Sequence, residues 1–264
     1  MKKKYTLAIH AAVEAGRAIL DIYNGGDYEV ESKADQSPLT LADRRSHEII
    51  ISALEKTGIP ILSEEGKEIS YMNRSWWSKF WLVDPLDGTR EFIMRNGEFT
   101  VNIALVTEGH ATFGVVYAPV VKTLYVGLKG RGAYRCRDEK YFCQPFDYLI
   151  QFSDTLPAAR ADHKFFRVVA SRSHYNQETR DYVNALDTDD KPISLVNSGS
   201  SLKLCMVAAG EADIYPRLGP TMEWDTAAAH AVVKAAGKNV YRVDNGLELE
   251  YNKENLLNPY FVVR

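Results

Sequence analysis

The run Lys79-Phe-Trp-Leu-Val-Asp84-Pro85-Leu86-Asp87-Gly88-Thr89-Arg90 sets Asp84 and Asp87 at the exit of an apolar stretch. A hydrophobic strand would deliver Asp84 at its carboxyl end, and Pro85, with no N–H to donate, would stop the ladder there. Gly88 would let Asp87 return on the same side of a tight turn. Two converging carboxylates repel unless a cation sits between them, and an all-oxygen donor set suits Mg²⁺ or Mn²⁺ rather than zinc. The amides of Gly88 and Thr89, at a helix start, could receive a phosphate. Taken alone, the same residues also describe a loop with an Asx turn, because Asp-Pro and Asp-Gly are common turn dipeptides.

Two further acidic sites extend the pattern. An apolar run over 59–62 ends in Ser63-Glu64-Glu65-Gly66, a second strand exit carrying carboxylates; the plain alternative is a solvated charged pair before a helix. In Met222-Glu223-Trp224-Asp225-Thr226-Ala227, Asp225 precedes an Ala-rich helix. The plain alternative there is an N-cap worth about 1 kcal/mol. Acidic residues at three element ends favour a metal centre over three unrelated turns.

The elements that must position these groups follow from hydrophobic period. Ile9, Ala12, Val13, Gly16, Ile19, Leu20 and Tyr23 recur at three- and four-residue steps and predict an amphipathic helix over 5–23, stopped by Asn24-Gly25-Gly26. Ser37-Pro38-Leu39-Thr40 opens a second helix ending at Gly58, and the polar stretch 25–37 between them reads as a loop or hairpin. β-branched and aromatic runs over 59–62, 80–83, 99–106, 112–117 and 123–128 predict a meander. The stretch 145–160 shows no clear period. Beyond it, strands over 166–170, 193–196 and 212–215 alternate with helices over 176–186, 200–209 and 225–236, which argues for an α/β unit. A subdomain boundary is expected near 155, dividing an α+β part (1–155) from an α/β part (156–264).

Composition is that of an ordinary folded protein: 264 residues, 45% apolar, 25% charged, with 17 Gly and 10 Pro. The net charge of −3 provides no general pull toward nucleic acid or an anionic membrane, so any phosphate must be held by a local site. His10, Glu14 and Arg17 break the apolar core a signal peptide would need, and no apolar run is long enough to span a bilayer. A cytoplasmic location is expected; Lys2–Lys4 reads as a solvated terminus that could brush the inner membrane. Cys136, Cys143 and Cys205 lack metal-ligand spacing and read as plain thiols of a reducing compartment. The aromatic group Trp76, Trp77, Phe80 and Trp81 could stack on a base, although an apolar strand start explains it more simply, and His10, His47 and His163 read as surface or packing residues. No feature commits to an oligomeric state.

With these residues in view, the chain resembles the lithium-sensitive, magnesium-dependent phosphomonoesterases of the inositol monophosphatase and fructose-bisphosphatase superfamily. Ser63-Glu64-Glu65, Asp84-Pro85-Leu86-Asp87-Gly88-Thr89 and Trp224-Asp225-Thr226-Ala227-Ala228 stand in the family's order, and the resemblance covers essentially the whole chain. Arg90-Glu91-Phe92-Ile93, the stretch from Asn96 to Leu105, Ser171-Arg172-Ser173-His174 and Gly199-Ser200-Ser201-Leu202-Lys203 are more similar to the bacterial 3'(2'),5'-bisphosphate nucleotidases of that superfamily than to its inositol enzymes. Ala229 stands where glycine would be expected.

The resemblance implies an αβαβα layered sandwich with two or three Mg²⁺ between its halves, Mn²⁺ as a substitute, and Li⁺ and Ca²⁺ as inhibitors. It implies Glu64, Asp84, Asp87, Asp225 and the Leu86 carbonyl as metal ligands, with Glu65 near a third ion. Glu64, Thr89 and Asp43 become the catalytic group: Thr89 touches water and phosphate, Asp43 orients its hydroxyl, and Glu64 takes the water's proton. Asp87, Gly88, Thr89, His174, Gly199, Ser200, Lys203, Arg217 and Asp225 become the substrate-binding set, with Asp225 and the nucleotide side of the pocket in the second part of the chain. The implied reaction is removal of the 3'-phosphate of adenosine 3',5'-bisphosphate, giving AMP, or of its sulfated form, in sulfur assimilation. Inositol monophosphatase activity is the alternative, because it would use the same metal site. The plain readings of Lys203 and Arg217 are solvated positions. A haloacid-dehalogenase-type D-x-D-G-T motif is excluded by Pro85, which stands where its first aspartate is required; a vestigial binding module fits poorly with a complete ligand set.

Overall fold

The computed structural model describes residues 3–25, 31–32, 38–158, 164–170 and 176–264. Helix α1 (Lys3–Gly25) buries Ala8, Ile9, Ala12, Val13, Ile19 and Tyr23 along one stripe. A short antiparallel pair, β1 (Glu31–Ser32) and β2 (Pro38–Leu39), leads into α2 (Leu41–Leu54). Thr40 caps α2, its N–H donating to the Asp43 carboxylate at 2.8 Å. The helix expected to reach Gly58 ends at Leu54; a 3₁₀ turn, Glu55–Thr57, completes it, and Gly58 follows in the left-handed conformation.

A seven-stranded sheet comes next. It contains β3 (Ile61–Ser63), then, past α3 (Tyr71–Arg74), β4 (Lys79–Asp87) and, past α4 (Thr89–Ile93), β5 (Thr100–Thr107), β6 (His110–Ala118), β7 (Thr123–Leu128) and β8 (Gly132–Cys136). After α5 (Phe146–Leu149), β9 (Asp154–Leu156) forms the last edge. The strands lie in chain order, with β3 and β4 parallel and all other neighbours antiparallel. Both α5 and β9 occupy the stretch whose sequence shows no period. Phe80 and Trp81 are buried in β4, as a strand start requires, whereas Trp76 precedes the strand and is exposed.

Pro85 does not end the ladder. Pairing runs from Lys79–Thr107 to Asp84–Asn102, skips Pro85 and Leu86 as a bulge, and resumes at Asp87–Thr100. One missing donor removes one rung, and the bulge absorbs it while re-aiming the side chains on either side.

The remaining elements are β10 (Phe166–Ala170), α6 (Gln177–Asn184), β11 (Ile193–Asn197), α7 (Leu202–Ala209), β12 (Tyr215–Arg217), α8 (Glu223–Ala235), β13 (Val240–Arg242) and β14 (Phe261–Val263). β10 and β11 pair in parallel, β12, β14 and β13 pair antiparallel, and a Val168–Ile214 bridge joins the two groups. The strand expected over 212–215 thus begins only at Tyr215.

Because β4 and β5 are covered on both faces, their central residues, Phe80 to Val83 and Ile103 to Val106, are continuously apolar. Trp81, Val83, Val101 and Ile103 pack with α1 and α2, while Phe80, Leu82, Ala104 and Val106 share a second core with α7 and α8. That second core also takes Tyr215, Phe261 and Val263 of the other sheet, and Val183 of α6 closes the far face against Val168, Ile214 and Val262. The order helices, sheet, helices, sheet, helix is the expected αβαβα sandwich. Helix α8 lies almost on the sheet backbone: a Cβ at Gly114 would stand 2.0 Å from the Ala228 carbonyl oxygen, and one at Gly127 would stand 2.5 Å from Val232 Cα. Ala227, Ala228 and Ala229 keep α8 thin enough for this approach, so alanine at 229 is accommodated. The expected boundary at 155 falls inside β9, and α7 and α8 from beyond it bury on the first sheet. Cys136 and Cys205 are buried free thiols and Cys143 is exposed. Among the described residues no helix is long and apolar enough to cross a membrane.

Candidate active site

β3 and β4 run parallel, so both release their acidic residues at the same end of the sheet. Glu64 leaves β3 with its N–H donating to the Val83 carbonyl at 3.1 Å. Asp84 is buried, and its Oδ1 accepts the Leu86 N–H at 3.1 Å within the bulge. Asp225 arrives from α8. It is not the N-cap, a position Met222 holds; it lies in the first turn, with its Oδ2 accepting the Met222 N–H at 2.9 Å.

Carboxylate oxygens of Glu64, Asp84 and Asp225 lie within 4.8 Å of one another. Desolvation, followed by repulsion from Glu64, Asp87 and Asp225, holds Asp84 well above the usual carboxylate range. Desolvation and then Asp87 and Glu64 do the same to Asp225. The residues fit a hard divalent cation, because the donor set is entirely oxygen and a bound cation would relieve the repulsion the cluster carries.

Asp87 stands apart from this triad. Its Oδ2 accepts from the Ser200 hydroxyl, from the Ser201 N–H at 2.6 Å and from Asn102 Nδ2 at 3.3 Å, which turns it toward the start of α7. Gly88 makes that turn possible with φ at +94°, where a side chain would be strained. The Thr89 hydroxyl lies 3.0 Å from Asp43 Oδ1 and 3.3 Å from the Leu86 carbonyl. Asp43 is itself fixed by Thr40, so the Asp43–Thr89 pair expected from sequence is in place. Burial raises the Asp43 pKa against the hydrogen bonds from Thr40. Glu65 lies close enough for its charge to raise Asp43 further.

A cavity of about 120 Å³ opens beside the triad, bordered by Asp87, Asp225, Ser200, Lys203, Tyr215 and Arg217. Lys203 is not a solvated helix position: it is 6% exposed, and its Nζ donates to the Ser200 carbonyl at 2.7 Å. Burial pushes its pKa down to about 8. Arg217 donates through Nη2 to the Pro220 carbonyl at 2.8 Å, and its buried Nε has no hydrogen-bond partner. Ser200 has φ at +52° and precedes α7, so it contributes its hydroxyl to Asp87 rather than a helix-terminal amide. Gly199 is tightly placed, as a Cβ there would lie 2.9 Å from Glu98 Cβ. His174 lies outside the described residues.

Three supporting groups had no assigned role in the sequence reading. Ser46 donates to the Pro85 carbonyl at 2.6 Å and so ties α2 to the bulge. Asn102 reaches Asp87, and the Thr100 hydroxyl meets those of Ser200 and Ser201 at 2.6 and 2.8 Å. The one visible signal for Asn102 and Thr100 is polarity inside the otherwise apolar run 99–106; Ser46, in the second helix, carries none.

The inositol monophosphatase family profile matches residues 1–260. The chain belongs to that family. Curated relatives include the 3'(2'),5'-bisphosphate nucleotidase CysQ of Shigella flexneri, 45% identical over 260 residues, or 96% of each chain. Among solved structures, CysQ from Bacteroides thetaiotaomicron superposes with a TM-score of 0.89 at 48% identity, covering 100% of this chain and 97% of that one. The extragenic suppressor protein suhB of Bartonella henselae superposes with a TM-score of 0.70 at 25% identity, over 92% and 89% of the two chains. The family is metal-dependent, typically on Mg²⁺, which agrees with the oxygen-only triad.

Proposed function

We propose that this chain is a Mg²⁺-dependent 3'(2'),5'-bisphosphate nucleotidase that removes the 3'-phosphate of adenosine 3',5'-bisphosphate, giving AMP, and acts on the 5'-sulfated form, in sulfur assimilation in the cytoplasm. The observation that supports this reading is a carboxylate triad whose Asp225 borders the same cavity as Asp87, the buried Lys203 and the half-buried Arg217. Glu64, Asp84 and Asp225 address one phosphate, while Lys203 and Arg217 stand where a second anionic group needs counter-charge. The relatives named as bisphosphate nucleotidases support the same substrate class.

In this reading Glu64, Asp84, Asp225, the Leu86 carbonyl and the free oxygen of Asp87 hold two Mg²⁺, with Glu65 beside a third, and Mn²⁺ can substitute. Bound Mg²⁺ would supply positive charge against the phosphoryl oxygens and lower the pKa of water at the site. The protein's own contribution is orientation and proton transfer. Asp43 accepts a hydrogen bond from the Thr89 hydroxyl and so aims that oxygen's lone pairs at the attacking water. Glu64 accepts the water's proton, and no phosphoenzyme is needed. Ser200, Lys203 and Arg217, with Gly88, Gly199 and His174, hold the rest of the nucleotide. Li⁺ and Ca²⁺ inhibit, Ca²⁺ because its longer, looser coordination misplaces the water.

Phosphate release from adenosine 3',5'-bisphosphate, inositol 1-phosphate and fructose 1,6-bisphosphate, with Mg²⁺ and with EDTA, tests the proposal. Metal-dependent turnover favouring the nucleotide is expected. A preference for inositol 1-phosphate would refute the substrate assignment and leave the metal centre intact; equal turnover in EDTA would refute the metal centre.

A further inference from the structure

Glu223 is the first residue of α8, yet it is wholly buried. Its Oε2 accepts the Asn252 N–H at 2.6 Å, and its Oε1 accepts the Lys253 N–H at 2.9 Å and Lys253 Nζ at 2.6 Å. The same turn is gripped from the other side by Arg74 at the end of α3. Arg74 is 2% exposed, and it donates to Asn252 Oδ1 at 2.9 Å, the Lys253 carbonyl at 2.8 Å and the Glu254 carbonyl at 2.9 Å. Asn252 returns a bond from Nδ2 to the Arg74 carbonyl at 2.8 Å and holds a φ of +72°, a left-handed conformation that asparagine adopts more readily than other side chains. The segment then continues onto the start of α8. The Leu256 carbonyl accepts the Glu223 N–H at 2.9 Å, and Asn258 Nδ2 donates to the Met222 carbonyl at 2.8 Å.

This bridge runs along one wall of a cavity of about 380 Å³, which separates the Glu64 turn from the start of α8 and is bordered by Glu64, Lys67, Arg74, Met222, Trp224 and Leu256. Packing therefore does not fill the space between the Glu64 turn and Met222 and Trp224 at the start of α8 on this side. A hydrogen-bonded strut takes its place, anchored at Arg74 in the element that follows the Glu64 turn and at Glu223, two residues before Asp225. Metal sites lose affinity when outer groups let a ligand shift by a few tenths of an ångström.

We infer that Glu223 and Arg74 are positioning residues for the metal centre, acting through the turn at 252–254 to set the distance of Asp225 from Glu64 and Asp84; this rests on reading those three carboxylates as metal ligands. Neither residue touches substrate. Glu223→Gln keeps the side chain's shape but turns an amide against a backbone N–H and removes the charge facing Lys253. Arg74→Lys keeps the charge but cannot reach three acceptors at once.

The test is a Mg²⁺ titration of metal-free protein by calorimetry and by thermal protection, alongside activity as a function of Mg²⁺. Each variant should need about tenfold more Mg²⁺ for half saturation, the scale on which metal sites respond to loss of an orienting group, with kcat at saturating Mg²⁺ within about threefold of wild type and nucleotide KM unchanged. The double variant should shift no further than the larger single one, because both act through one turn. A purely structural role would lower the metal-free Tm and leave the Mg²⁺ midpoint alone. Midpoints within about twofold of wild type in both variants would overturn the inference, and Arg74→Lys decides it alone should Glu223→Gln not fold. Wild-type protein that gains no thermal protection from Mg²⁺ would be a different failure, that of the metal centre itself.

Discussion

Glu223 and Asp225 stand two residues apart at the start of α8 and are provided for in opposite ways. Glu223 is fully buried, and the chain itself supplies its partners: two backbone N–H groups and the Lys253 ammonium. Asp225, with Asp84, faces other carboxylates, and the one backbone N–H from Met222 does not offset desolvation and repulsion. A buried acid whose partners are all internal is part of the scaffold. An acid left among acids is completed by something the chain does not contain. The cavity repeats the contrast with the sign reversed, since Lys203 is buried and Arg217 Nε has no partner beside it.

The contrast would be broken most directly at the triad. Asp84→Asn keeps the side chain's size and removes one charge from the cluster, as Asp87→Asn does beside it. Turnover should fall at least about a hundredfold in each, the scale of losing one group that stabilises transition-state charge, while circular dichroism shows a folded protein. More than about a tenth of wild-type turnover in both variants at saturating Mg²⁺ would show that these carboxylates are not the ones awaiting a cation.

The cationic end of the cavity offers a sharper, smaller effect. Lys203→Ala and Arg217→Ala should each lower kcat/KM for adenosine 3',5'-bisphosphate by about 1.5 to 3 kcal/mol, as loss of a hydrogen bond to a charged group does. A 3'-phosphate substrate without the 5'-phosphate should turn over poorly in wild type and lose little more in either variant. Equal losses on both substrates would make Lys203 and Arg217 supports of the fold or of the triad, and would remove the parallel between the two ends of the cavity. The depressed Lys203 pKa, about 8, adds a pH signature: the ammonium is lost as pH rises through that value, so KM should climb between pH 7.5 and 9.

These targets differ in how far sequence alone exposes them. Asp84, Asp87 and Asp225 are legible because each sits where an apolar period stops or starts, and the order of their motifs carries the family resemblance and with it the five layers. The meander from β5 to β7 is legible because turn signals separate β-branched runs, whereas β8, a short run after Gly132, is not among the predicted strands. The bulge at Pro85 is not, because a missing N–H can end a strand or bend it, and only the resumed pairing at Asp87–Thr100 decides between the two. Neither Ser46, Asn102 nor Glu223 could be assigned, since each acts on a partner distant in sequence, Pro85, Asp87 and the turn at 252–254 respectively. For Lys203 the family resemblance implies a substrate role, while helical period alone leaves a solvated position open because it does not reveal that the residue is buried.

The smallest effect concerns stability without metal. An unfolded aspartate titrates near 3.9, whereas Asp84 in the folded chain is held well above that. Between those two values the folded state keeps a proton that the unfolded state has released, so the contribution of Asp84 to stability falls as pH rises from about 4 through the raised value. At pH 7.5 the metal-free protein therefore carries a penalty that is absent at pH 4. Asp84→Asn removes it, so in EDTA at pH 7.5 the variant should melt a few degrees above wild type, about 1 to 2 kcal/mol for a chain of this size, and the gap should narrow as pH is lowered toward 5. Saturating Mg²⁺ should reverse the order, because wild type gains binding free energy that the variant has lost. A metal-free Asp84→Asn protein that melts below wild type at both pH values would mean that the Leu86 N–H bond to Asp84 outweighs carboxylate repulsion, and would place Asp84 with Glu223 among the acids the chain satisfies by itself.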